Sequence, residues 1–350
     1  MERRGRAAAW STLLAGALGA SVAGAALAAP APPATSLPGP AVGSLVGDRV
    51  AIEATCEACH EDVAAEWRGS LHHASWDDPI FLAAYALEPQ PFCRSCHVPE
   101  ADPGATPPEA ARRLGVGCVT CHLRGDAIVG PTPRPATPGG HRVVGDRRMA
   151  GSDACGGCHQ FEFPEPQDAA MQGTGEEHRA SRFAATPCQE CHKPRAPGGS
   201  RRRHHGFHVD DVLLRSAVRV TAAREGDHAV AITITPARVG HDVPTGDMFR
   251  RLEVRASAVG DPRTTSTALA RRFQRVPGPD GTRRLQVGDD RIRGGGPPRR
   301  VILDLEPALD ARPIRWEVVH QRMDPAMAAS FGVDAARNET IVASGTLPPR

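Results

Sequence analysis

The chain has 350 residues, with 42 Lys and Arg against 40 Asp and Glu, so its formal net charge is only +2. That balance gives no electrostatic footprint for nucleic acid, and the short run from Arg201 to Arg203 reads as a solvated loop. Aromatic residues make up 4% of the chain, with a single Tyr, too few to fill conventional cores unaided.

The first segments in chain order are processing signals. Arg3, Arg4 and Arg6 form a basic leader, Trp10 to Ala28 an apolar run, and Ala26-Leu27-Ala28 a small-residue cleavage site. Residues 1–28 are therefore expected to be a signal peptide, leaving a mature chain that begins near Ala29 and resides in the periplasm. An uncleaved anchor is the alternative, since the run is nearly long enough to span a bilayer; its Ala/Gly-rich, weakly hydrophobic character favours removal. Residues 29–49, Pro- and Ala-rich from Pro30 to Pro40, read as a linker.

All ten cysteines that follow fall into five Cys-x-x-Cys-His pentapeptides: Cys56/Cys59/His60, Cys93/Cys96/His97, Cys118/Cys121/His122, Cys155/Cys158/His159 and Cys188/Cys191/His192. This is the attachment signature of c-type haem. Two thiols three positions apart can reach the two vinyl groups of one porphyrin while the next His ligates the iron. Structural zinc and redox-active dithiols also use Cys-x-x-Cys, but neither explains a His after every second Cys. The expected cofactors are five covalently bound haems c. Their large apolar faces would supply the surface that the scarce aromatic residues do not. Successive motifs lie only a few dozen residues apart, too close for a protein core around each porphyrin, so the haems are expected to pack against one another.

Between the motifs, Glu61 to Ser70 and Pro79 to Leu87 have helical character, whereas Pro131 to Gly140 is a loop by composition. The cysteine-bearing part, residues 50–210, is expected to form a pentahaem domain. Beyond it the texture changes: Ala217–Thr221, Ala229–Ile234, Leu252–Ala256, Val301–Leu305, Ile314–Val319 and Thr340–Ala343 each alternate apolar and polar residues, the period of half-buried strands. Residues 211–350 are expected to form an antiparallel β-sandwich-like domain, interrupted by a short helix around Pro325 to Phe331. The fold class is α+β.

His60, His97, His122, His159 and His192 are the expected proximal ligands. The group opposite each decides function, because a second His saturates the iron and an open position allows chemistry. Candidates are His72, His73, His141, His178, His204, His205, His208 and His241; His228 and His320, in the strand-rich part, read as surface or core histidines.

At these residues the chain resembles the exported multihaem c-type cytochromes related to the tetrahaem cytochrome of ammonia-oxidising bacteria. The likeness rests on Cys56–His60 followed by Trp67, Ser70, His73 and Ala74; on Gly117–His122, His141 and Cys155–Gln160; and on Pro187–Pro194 with Gly240–Asp247. What the resemblance implies is bis-histidine ligation for most haems, with His73, His141, His205 and His208 as distal ligands. His72 competes with His73, and the choice among His204, His205 and His208 stays open. His241, in a tight Gly-His-x-x-Pro-Thr-Gly turn, either approaches a haem from the β-domain or is structural. His178 stands where related chains carry Trp, and Lys193 where they carry Met.

The leading functional expectation is a periplasmic carrier relaying electrons between a quinol-linked donor and a terminal acceptor. The alternative is a multihaem oxidoreductase acting on a small nitrogen or sulfur species at one open haem. A subunit of a larger respiratory complex, with the β-domain as assembly surface, is a third.

Overall fold

A Cys-x-x-Cys-His pentapeptide spans little more than one helical turn, and in the computed structural model each of the five closes a short helix. Residues 37–41, 48–163, 170–198, 201–278, 281–305 and 311–350 are described; the expected signal peptide and most of the linker lie outside them. The helices are α1 (Arg49–Cys59), α2 (Glu61–Arg68), α3 (Pro79–Leu87), α4 (Pro91–His97), α5 (Glu109–Leu114), α6 (Cys118–His122), α7 (Asp153–His159), α8 (Thr174–Ala180) and α9 (Cys188–His192). The motifs end α1, α4, α6, α7 and α9, where i and i+3 share a face, so both thiols of a pair emerge on one side. Between these helices run only minor strands: β1 (Leu123–Arg124), β2 (Ala127–Gly130), β3 (Val144–Gly145), β4 (Gln160–Glu162) and β5 (Ala170–Gly173).

After α10 (Asp211–Ser216) the chain becomes strand-rich: β6 (Val218–Glu225), β7 (Ala229–Pro236), β8 (Arg251–Ala258), β9 (Thr265–Gly278), β10 (Gly281–Asp289), β11 (Arg299–Asp304), β12 (Ile314–Gln321), α11 (Pro325–Ser330), α12 (Ala335–Asn338) and β13 (Glu339–Leu347). A five-stranded sheet, β10-β9-β8-β12-β13, and a three-stranded sheet, β11-β7-β6, are each antiparallel. Their inward rows, Val230, Ile232 and Ile234 from one sheet and Leu252, Val254, Ile314 and Val318 from the other, form the largest apolar cluster. The α+β expectation holds. The β9–β10 hairpin was not anticipated: β9 carries Thr, Ser and Arg on largely uncovered faces, so no apolar alternation marks it.

The two parts are packed together. Met323 is fully buried in a cluster with Ile80 and Ala83 of α3 and Ala328 of α11, and Arg322 pairs with Asp78 before α3 through both carboxylate oxygens. Arg271 of β9 donates to the carbonyls of Ala170 and Met171 at 2.7 and 2.6 Å. Among the described residues no helix is long and apolar enough to cross a membrane.

Candidate haem centres

Four of the five motif histidines face a second imidazole at nearly one distance. Ring centres lie 6.1 Å apart for His60 and His141, 6.2 Å for His159 and His72, 6.4 Å for His122 and His205, and 6.2 Å for His192 and His241. An imidazole nitrogen bonds a metal at about 2 Å and lies about 1.1 Å from its ring centre, so two imidazoles sharing one metal place their centres about 6.2 Å apart. The residues therefore fit an iron held between each pair. His97 differs: no histidine ring faces it among the described residues, and Phe81 stacks on its imidazole with centres 3.7 Å apart and planes at 13°.

Hydrogen bonds fix the tautomer of most of these rings. Nδ1 of His97 donates to Ser75 O at 2.7 Å, that of His122 to Val129 O at 2.8 Å, and that of His192 to His208 O at 2.8 Å. On the facing side, Nδ1 of His205 donates to Arg203 O and that of His241 to Asp242 O, both at 2.9 Å, and that of His141 to Arg142 O at 3.2 Å. A carbonyl only accepts, so Nδ1 carries the proton and Nε2 presents its lone pair, the arrangement that orients ligating histidines. Burial, aided by neighbouring cations and imidazoles, pushes His72 and His205 down to about 3 and His159 to about 4. Neutral imidazole is the form that binds metal.

The remaining histidines are placed elsewhere. His73, the distal candidate implied by the resemblance, packs on Trp67 with ring centres 4.4 Å apart and sets Nδ1 3.4 Å from Leu114 O; its neighbour His72 occupies the facing position. His208 lies against His204, with Nε2 and Nδ1 3.1 Å apart, and contributes its carbonyl, not its ring, to His192. Of His204, His205 and His208, only His205 faces a motif histidine. His178 is buried with Nε2 2.9 Å from Thr186 O. His228 is exposed, and His320 is buried at the end of β12.

Glycine and acid side chains from distant segments shape the pockets. Gly115, at φ +59°, brings Val116 N to 2.8 Å from His72 O; a Cβ there would come within 2.6 Å of the same oxygen. Glu53 of α1, fully buried, accepts from the N–H groups of Cys118 and Val119 at 2.8 and 3.0 Å, so it caps the helix that carries the third motif. Glu177 of α8 accepts from Asp242 N at 3.3 Å, Thr245 Oγ1 at 2.5 Å and Arg291 Nη1 at 2.7 Å. One carboxylate from the helical part thus anchors the loop that brings His241 from the β-part. Spacing gave no sign of Glu53, Glu177 or Phe81, because their partners lie far away in the chain.

The thiols show how the motifs are grouped. Cys96 lies against Cys158 and Cys155 against Cys188; Cys118 neighbours Cys56, and Cys121 neighbours both Cys158 and Cys155. The first motif therefore adjoins the third, and the fourth adjoins the second, third and fifth. The arrangement is a branched path centred on the fourth motif, not a simple line.

The ten thiols differ in exposure. Cys56, Cys93, Cys96, Cys118, Cys121, Cys155, Cys158 and Cys188 are half-buried, whereas Cys59 of the first motif and Cys191 of the last are exposed. The reason is position: Cys96, Cys121 and Cys158 turn inward toward thiols of other motifs, while the second Cys of the first and fifth motifs stands at the outside of the group. Exposure leaves both thiols open to a vinyl group from the solvent side, so it is compatible with thioether attachment. Burial pushes the Cys118 thiol well above its ordinary value, and that of Cys121 up to about 11.

Known proteins resemble this chain in part of its sequence and in its fold. The family model described as cytochrome c554 and c-prime matches residues 55–123, which span the first three motifs. Among solved structures, the penta-heme cytochrome c552 from Thermochromatium tepidum is similar, with a TM-score of 0.62 at 20% identity, over 84% of this chain and 98% of that one. The two matches support a multihaem c-type cytochrome. At this identity the structural likeness is one of fold, and it extends through the helical part into the strand-rich part. No curated protein matches the chain in sequence.

Proposed function

We propose that the chain is an exported electron-transfer cytochrome with five covalently attached haems c. Ten cysteines attach them, and four centres are each held by two histidines: His60 with His141, His122 with His205, His159 with His72, and His192 with His241. The observation that carries this reading is the common separation of the four ring pairs. A bound haem supplies a reversible one-electron couple. The chain's own groups do the rest: carbonyls orient the imidazoles, burial keeps them neutral, and the grouping of the thiols sets the centres side by side. The partners are a quinol-linked donor and a terminal acceptor.

His97 favours a second reading for its centre alone. With no histidine facing it among the described residues, that centre is the one at which a small nitrogen or sulfur species could bind, and the protein would then be an oxidoreductase. Low-temperature EPR of the oxidised, fully loaded protein tests both readings. Four low-spin signals and one high-spin signal that is unmoved by nitrite or hydroxylamine support the carrier. A high-spin signal that shifts on adding either favours the oxidoreductase, and fewer than four low-spin signals removes the pairing.

A further inference from the structure

Phe207 has φ +47°, a left-handed conformation that is strained for a residue with a Cβ and persists only where the surroundings enforce it. The ring so placed meets His72 edge to face, with centres 4.1 Å apart and planes at 77°, and lies 6.2 Å from His205 at 89°. One side chain therefore adjoins the histidines that face His159 and His122. Lys193 sets Nζ 4.7 Å from the centre of the same ring, a cation–π distance, and its charge neighbours are Cys121 and Cys155 of the third and fourth motifs, followed by Arg203 and Glu66.

His72 is also held differently from its counterparts. Its Nδ1 is buried and has no hydrogen-bond partner among the described residues, whereas His141, His205 and His241 each donate to a carbonyl.

We propose that Lys193 and Phe207 are positioning residues that give the His159–His72 centre the highest potential of the four paired centres, making the junction the place where electrons collect. The proposal rests on the reading that these two histidines share one haem. Two effects of the same sign support it. A carbonyl acceptor makes an imidazole more basic and favours oxidised iron, and His72 has no such acceptor; the Phe207 ring is at most a weak one. A half-buried cation is screened less than one in open water and favours the state with one more electron.

The test is an EPR-monitored redox titration of the holoprotein. His72→Ala first identifies the centre as the low-spin signal that disappears; if none disappears, the pairing itself fails. In the unaltered protein that signal is expected to be the first of the four low-spin signals lost on reduction. In Lys193→Gln its midpoint moves to more negative potential, with a shift of the same sign at the neighbouring His122–His205 centre while the other two stay, and in Lys193→Arg both stay near their original values. Lys193→Met carries the same expectation if the Gln variant does not retain its haems. A signal reduced in any other order, or a midpoint unmoved in both neutral variants, overturns the proposal while leaving the pairing intact.

Discussion

Glu66 of α2 accepts a hydrogen bond from the backbone N–H of His205 at 2.9 Å, although 139 positions separate them. The same carboxylate takes Arg202 on both oxygens, at 2.6 and 2.8 Å, so the loop presenting His205 is clamped to the helix after the first motif. The Arg202 hydrogen bond, with help from His205 N–H, holds the Glu66 carboxyl down at about 2.

A depressed carboxyl pKa gives stability that is present above the unfolded value and lost as pH falls through the folded one. The window here runs from about 4.5 down to about 2. Glu66→Gln removes the charge, so it should melt below the unaltered protein at neutral pH, and the gap should close across that window. Thermal melts followed in the Soret band at several pH values check this; a gap independent of pH would show that the clamp is not ionic.

His72 and His73 are separated by substitution. His72→Ala should convert one low-spin centre to high spin, with the haem count unchanged in a pyridine haemochrome assay. His73→Ala should leave the spin inventory as it was, because that ring packs on Trp67. The reverse pattern would restore His73 as the ligand.

Glu53→Ala leaves two N–H groups at the start of α6 without their acceptor, one of them buried. The cost of orphaning such a donor is about 1–3 kcal/mol, read as a lower midpoint in denaturant. Glu53→Gln keeps one acceptor oxygen and should lose less. Equal losses would mean that charge, not acceptance, is what α6 requires.

Met323→Ala should cost about 2–5 kcal/mol, as for other buried large-to-small changes, because its side chain fills the seam between α3 and α11. Since the seam joins the two parts, the loss should appear in a single transition monitored by both haem absorbance and β-sheet circular dichroism. Two separated transitions would show that the parts unfold independently.

Much of this architecture was legible in the residues. The pentapeptides are local, so their positions, and the helix at Pro79–Leu87, could be read directly; the strands with one apolar face, such as β7 and β12, were legible for the same reason. The β9–β10 hairpin escaped because its faces are Arg- and Thr-rich. The exposure of Cys59 and Cys191 was not legible either, since all five pentapeptides look alike and only their grouping in space decides which thiols turn outward. The facing histidines were legible as a set but not as pairs: His72 and His73 are chemically alike, and which of them turns toward His159 depends on Gly115, Val116 and Phe207, none near in sequence to both. Glu53, Glu66 and Glu177 could not be found by spacing at all, since an acid that clamps a distant loop looks like any solvated one.

The loop from His241 to Thr245 crosses from the strand-rich part to stand before His192, held by Glu177. The consequence concerns inheritance and assembly. A chain cut near residue 210 would keep all ten thiols yet lack the imidazole that its last motif faces. The two halves are therefore not exchangeable modules, and substitutions in either must be accommodated by the other.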